Sequence, residues 1–97
     1  MKATRLLRSK IAFENGTIQE MVIWQLPEKT LERPHGLKYR LHYGLTNGTC
    51  LIRYDNERGK GDHRHVRDKE EPYALTTARK LVEDFLSDVA KVQAGEL

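Results

Sequence analysis

The chain has 97 residues, enough for one small domain (1–97) with a single core and no large ligand cavity. It is 32% charged and 38% hydrophobic, a globular rather than a disordered balance, and its 17 Lys/Arg against 14 Asp/Glu leave a net charge of +3. A single cysteine, Cys50, excludes an internal disulfide framework and a cysteine-rich zinc site; no apolar run reaches membrane-spanning length; and Met1-Lys2-Ala3-Thr4-Arg5-Leu6-Leu7-Arg8 is too interrupted by charge for a signal peptide, so a cytoplasmic protein with no membrane partner is expected.

The predicted elements begin with a hairpin. Asn15-Gly16 tolerates the positive φ angles of a two-residue turn, so residues 5–13 and 17–26 are expected to pair. That register sets Phe13 against Ile18 and Leu7 against Trp24, with Ser9 and Val22 on the same face and Leu6, Met21 and Ile23 on the other. Trp24 thereby reads as a core residue rather than a platform for stacking bases. Residues 27–36, bounded by Pro27 and Gly36, read as a connecting loop in which His35 is a loop residue.

A second hairpin turns at Asn47-Gly48 and shows the clearest pattern of the chain. Leu37, Tyr39, Leu41, Tyr43 and Leu45 alternate with Lys38, Arg40, His42 and Gly44, which predicts one buried and one exposed face. Leu45 is expected opposite Cys50, Tyr43 opposite Ile52 and Leu41 opposite Tyr54, all apolar, with Cys50 a buried filler. On the other face His42 meets Arg53 and Arg40 meets Asp55, with Lys38 extending a basic row. Residues 56–75 form a long stretch without a strong pattern, shortened by a strand near His63–Arg67. Ala78, Leu81, Val82, Phe85, Leu86, Val89 and Val92 then recur at helical spacing from Thr77 to about Gln93, with Thr76 or Thr77 as cap. The expected fold is α+β: a mainly antiparallel sheet of four to five strands from two hairpins, with the C-terminal helix packed on one face and a basic, partly exposed face opposite.

Charge is unevenly distributed. Between Arg33 and Lys69 nine Lys/Arg stand against four Asp/Glu, and all four histidines lie in this segment. A basic centre of this kind suits a polyanion such as RNA; a solvated charged surface is the plainer reading. Chemistry concentrates in Arg53-Tyr54-Asp55-Asn56-Glu57-Arg58-Gly59-Lys60-Gly61-Asp62-His63-Arg64-His65. Cleavage of a phosphodiester by a ribose 2′-hydroxyl needs a base, an acid and cations for the charge gathering on phosphorus, and requires no metal or cofactor. His63 and His65 can share the acid–base work, with Lys60, Arg64 and Arg53 around the phosphate and Asp62 beside them. Lys38, Arg40, His42, Arg53, Arg58, Gly59 and Gly61 would hold the RNA, the glycines permitting close approach. In an extended backbone the two imidazoles stand about 6–7 Å apart on one face and Arg64 points to the other. Tyr54 falls on the apolar face. Two further readings stay open: His-x-His as a metal pair with Asp62 or His42 as a third ligand, and a charged surface loop carrying two incidental histidines.

Several strings together resemble the TumE-type toxins of prokaryotic toxin–antitoxin modules. They are Lys38-Tyr39-Arg40-Leu41, Arg53-Tyr54-Asp55-Asn56, Gly59-Lys60-Gly61-Asp62-His63-Arg64-His65 and Glu71-Pro72-Tyr73, along with the opening Met1-Lys2-Ala3, the Met21-Val22-Ile23-Trp24 strand and Asp84-Phe85-Leu86 in the last helix. The resemblance spans nearly the whole chain. It implies a small growth-inhibiting cytoplasmic toxin acting on RNA, a helix-turn-helix antitoxin encoded beside it as partner, and operator DNA bound only through the complex of the two. Many members of that family carry a histidine near position 58, where this chain has Arg58. The alternative is a non-enzymatic module that grips RNA or a protein with the same basic surface.

Overall fold

The computed structural model describes residues 2–31, 33–56 and 61–97. Among these, six strands form one antiparallel sheet in the order β1-β2-β3-β4-β5-β6, each strand beside its neighbour in sequence. They are β1 (Thr4–Ala12), β2 (Thr17–Gln25), β3 (Leu37–Leu45), β4 (Cys50–Asp55), β5 (His63–Val66) and β6 (Lys69–Pro72), followed by a single helix α1 (Ala78–Gln93). The α+β class and the two predicted hairpins are present; the sheet exceeds the expected four to five strands. The additional strand is β6, Lys69-Glu70-Glu71-Pro72, which lacks β-forming residues and a buried face. It exists because β5 offers it an edge, and its proline is tolerated at the end of an edge strand.

The helix is built as its spacing predicts. Thr77 caps it, its side-chain Oγ1 accepting a hydrogen bond from the Lys80 N–H at 3.1 Å. Leu81, Phe85 and Val89 recur on one face and are buried against the sheet. They meet Ile23, Leu37, Tyr39, Leu41, Tyr43, Ile52 and Tyr54 in one cluster, each large apolar side chain contributing roughly 1.5–3 kcal/mol by burial. Tyr54 sits edge-on to both Phe85 and Tyr73, with ring centroids 6.0 and 5.0 Å apart.

Both Asn-Gly hairpins differ from a two-residue turn in the same way. The Phe13 carbonyl accepts from the Gly16 N–H at 3.2 Å and the Phe13 N–H donates to the Thr17 carbonyl at 2.9 Å; Leu45, Gly48 and Thr49 repeat this at 3.0 and 2.9 Å. Each loop is therefore three residues long with its glycine in the left-handed region, at φ +84° for Gly16 and +97° for Gly48. A three-residue loop shifts the register by one. In the second hairpin a bulge restores it: Gly44 lies opposite Cys50, and Leu51 is the extra residue before Tyr43 meets Ile52. Leu41–Tyr54, His42–Arg53 and Arg40–Asp55 thus pair as predicted, whereas Cys50 joins the side of Gly44 and is half-buried rather than filling the core, and Leu51 is buried instead.

No such correction occurs within most of the first hairpin. Leu7 faces Ile23 and Ser9 faces Met21, so Met21 and Ile23 enter the core. Val22 and Trp24, predicted to lie on the packed face with Leu7, are turned to the opposite one. Trp24 is not a core residue.

Candidate functional site: the open face of the sheet

Strand register builds the uncovered face as cross-strand rows. Arg5, Trp24 and Lys38 form one. Arg8, Val22, Arg40, Asp55 and His63 form the next, and Lys10, Glu20, His42, Arg53, His65 and Glu70 the third. Among the described residues of these three rows, six Lys/Arg side chains thus stand against three carboxylates. The predicted Lys38–Arg40–His42 row is present and runs on through Arg53 to the two histidines.

The His63 and His65 rings lie with centroids 6.4 Å apart, as extended alternation requires. His63 Nδ1 is 3.1 Å from Glu70 Oε1, a partner supplied by β6 and invisible without that strand. His65 Nε2 is 3.1 Å from Arg53 Nη2. A guanidinium can only donate, so Nε2 accepts and the neutral ring carries its proton on Nδ1. Arg53 is held in turn by Asp55, Nε to Oδ2 at 3.2 Å, and both Asp55 and Glu70 approach His65 at 4.0 and 3.9 Å. Burial pushes the His42 imidazole below the usual histidine value, Arg40 and Arg53 add to this, and Glu20 opposes it. Burial also raises the Cys50 thiol and so keeps it protonated, against the opposing pull of Arg53 and Arg40.

Arg64 belongs to the other side. Its Nε and Nη2 reach Asp88 Oδ2 and Oδ1 of the helix at 2.7 and 3.0 Å, its Nε also donates to the Tyr54 hydroxyl at 3.0 Å, and Nη1 bonds Glu71. The Tyr54 hydroxyl donates to the same carboxylate at 2.5 Å. Hydrogen bonding to Asp88 raises the Arg64 pKa, and burial followed by Asp88 raises that of Tyr54. Arg64 thus ties β5 to α1 and shares no face with the histidines.

Asp62 is also separate from the pair. It accepts from the Tyr39 hydroxyl at 2.7 Å and contacts His35 Nε2 at 3.1 Å, while His35 Nδ1 accepts the Leu37 N–H at 3.0 Å. Burial, then the hydrogen bond to Asp62, raises the Tyr39 pKa. His35 is therefore a structural partner of Asp62, which its place between Pro34 and Gly36 does not suggest. Next to it, buried Asn56 accepts from the Tyr39 N–H and donates to the Leu37 carbonyl, at 3.1 and 2.6 Å, pinning the start of β3. Gly61 takes φ +73° just before β5. Arg58, Gly59 and Lys60 lie outside the described residues.

The third ligands proposed for a metal do not join the His pair: Asp62 is engaged with Tyr39 and His35, and Arg53 stands between His42 and His65. Among the described residues no group of three or more His, Cys, Asp or Glu is placed to hold a metal ion, and no helix is long and apolar enough to cross a membrane. What the open face offers is two imidazoles with polar partners at one end of a cationic surface.

No match to the chain is found among curated proteins or among solved structures. The family model described as Toxin TumE matches residues 2–93, from the start of the sheet to the last turn of the helix, and by that match the chain belongs to the TumE toxin family.

Proposed function

We propose that this toxin acts on RNA as a metal-independent endoribonuclease, using the open face of its sheet and needing no cofactor. The observation that carries the reading is the alignment of His63 and His65, 6.4 Å apart, with Arg53, Arg40 and Lys38 across neighbouring strands. His65 is the base, because its Nε2 already bears a lone pair. That lone pair is held by Arg53, so a phosphate that draws Arg53 away frees it for the ribose 2′-hydroxyl. His63, oriented by Glu70, donates a proton to the departing 5′-oxygen, and Arg53 and Arg40 offset charge on phosphorus. Lys38, His42 and Arg40 hold the strand; Arg58, Gly59, Lys60 and Gly61 extend the grip from the segment before β5. Arg64 and Asp62 act through the fold as positioning residues.

Membership in a toxin family implies an antitoxin partner. In our reading this is a helix-turn-helix protein, operator DNA is bound only by the complex, and the toxin works in the cytoplasm. The test is incubation of purified protein with total RNA, with and without chelator, beside His63→Ala/His65→Ala. Cleavage that survives chelator and vanishes in the folded double variant supports the reading; a double variant that still cleaves RNA and arrests growth overturns it. A second reading, a non-enzymatic RNA- or protein-binding module, is favoured by the polar partners that already engage both imidazoles. It predicts no fragments, mild effects of His63→Gln, and steep salt-dependent losses on removing Arg53 or Lys60, whereas Arg64, held by Asp88 on the helix side, stands outside that gripping set.

A further inference from the structure

Trp24 is the sole tryptophan of the chain, and it stands on the uncovered face, outside the residues that pack the described core. An indole left half-buried on a solvent face, among cations, is an unusual use of the largest apolar side chain. Its neighbours are placed there by a specific device. The register of β1 slips between Arg5 and Leu7, leaving Leu6 as an extra residue. Without that slip, strict alternation would set Leu6 opposite Trp24 and send Arg5 to the helix side. With it, Arg5 is the cross-strand partner of Trp24 and Leu6 lines a cleft toward the helix with Leu7, Ala78 and Val82. Lys38 flanks the indole from β3.

The indole is also the wall between two hollows. One, of about 230 Å³, has Arg5, Arg8 and Lys10 around it, with the Glu20 carboxylate among them; the other, of about 290 Å³, is bordered by Ala3, Leu26 and Lys38. The first hollow is cationic and the second mainly apolar with one lysine at its edge. A flat aromatic beside Lys and Arg is the arrangement by which proteins hold single-stranded nucleic acid: a base stacks on the ring while its flanking phosphates meet the cations. From Trp24 to His63 is three strand spacings and one residue row, about 16 Å, within reach of a few extended nucleotides.

We propose that Trp24, flanked by Arg5 and Lys38, is a base-stacking platform that anchors single-stranded RNA at the far end of the face from the histidines, an inference that rests on the reading of this face as an RNA surface. The platform ignores base identity, because every base has a stackable face. It adds affinity and sets which phosphate reaches His63 and His65.

The lone indole reports its own occupancy. Wild-type protein is titrated with a short fluorescently labelled oligoadenylate, and with an abasic ribose-phosphate strand of equal length. Binding is read by anisotropy of the label and stacking by quenching of Trp24. The expected result is saturable quenching by oligoadenylate only, with the abasic strand bound roughly tenfold more weakly. Trp24→Leu should lower oligoadenylate affinity by a similar factor and leave the abasic strand unchanged, with Trp24→Phe between. Binding without quenching, or equal binding of both strands, overturns the platform and leaves the RNA surface standing. Absence of binding by either strand overturns both.

Discussion

Arg64 and Arg53 lie opposite sides of one sheet, and the contrast between them holds for the two faces as wholes. Arg64 is clamped by Asp88, Tyr54 and Glu71 beneath the helix; Arg53 lies on the uncovered face between Asp55 and His65. The same residue type is scaffold in one place and part of the candidate site in the other. The period of two in an extended chain divides His63-Arg64-His65 between the two roles. A cationic string at the end of a strand is therefore not one site. Its central arginine holds the sheet to the helix, and its two histidines are left on the open face.

The sharpest way to break this comparison is to remove a partner from each side. Arg64→Ala leaves Asp88, with its side chain 7% exposed, without its guanidinium, and should destabilise the protein by about 3 kcal/mol in chemical denaturation. Arg64→Met combined with Asp88→Leu should recover most of that loss, because the uncompensated carboxylate goes with its partner. If Arg64→Ala instead left stability unchanged and abolished only activity, the division of roles would be wrong.

Gly44 is an expected exception on the open side. A Cβ there would stand 2.3 Å from the Thr49 carbonyl oxygen and 3.3 Å from the Cys50 Cα, so the bulge itself must shift to admit Gly44→Ala. A loss of about 2 kcal/mol is expected from such overpacking, read from the thermal midpoint. By contrast, His63→Ala with His65→Ala should change stability by less than about 1 kcal/mol while ending growth inhibition, measured by induced expression in cells.

The smallest effect is a pH dependence from His42. Burial, with Arg40 and Arg53, lowers its folded pKa against the pull of Glu20, so the unfolded chain binds the proton more tightly. Its contribution is present above the unfolded value near 6.5 and is lost as pH falls from there through the folded value. Denaturation midpoints should therefore drop on acidification through this window, and His42→Gln should flatten that part of the profile.

Much of the fold was legible because local chemistry specified it. The alternation from Leu37 to Tyr43, the helical spacing from Ala78 to Val92 and the Thr77 cap each survive in the structure, whereas Leu45, expected on the buried face, is exposed beside the turn. The second hairpin kept its predicted register for a reason no pattern displays: a longer loop and a bulge at Leu51 shift it in opposite senses and cancel. The first hairpin has the same loop with its only slip at Leu6, so β2 is turned over relative to β1: Leu7 stays on the packed side while Trp24 emerges on the open one. Glu70 could not be paired with His63 because β6 has no strand signature of its own; it forms only against a neighbour already in place. Asp55, in contrast, was readable as the partner of Arg40.

By itself the sequence determined an antiparallel α+β domain, the residue types of its candidate site, and the family strings along its length, since turn glycines, alternation and helical spacing act over a few residues. Tertiary structure alone decided which polar groups became scaffold. Whether a helix lies over one face, whether a bulge slips a register and which edge accepts a last strand are settled by contacts far apart in the chain. Those contacts placed Arg64 and Asp62 inside the framework and left His63, His65 and Trp24 on its open surface.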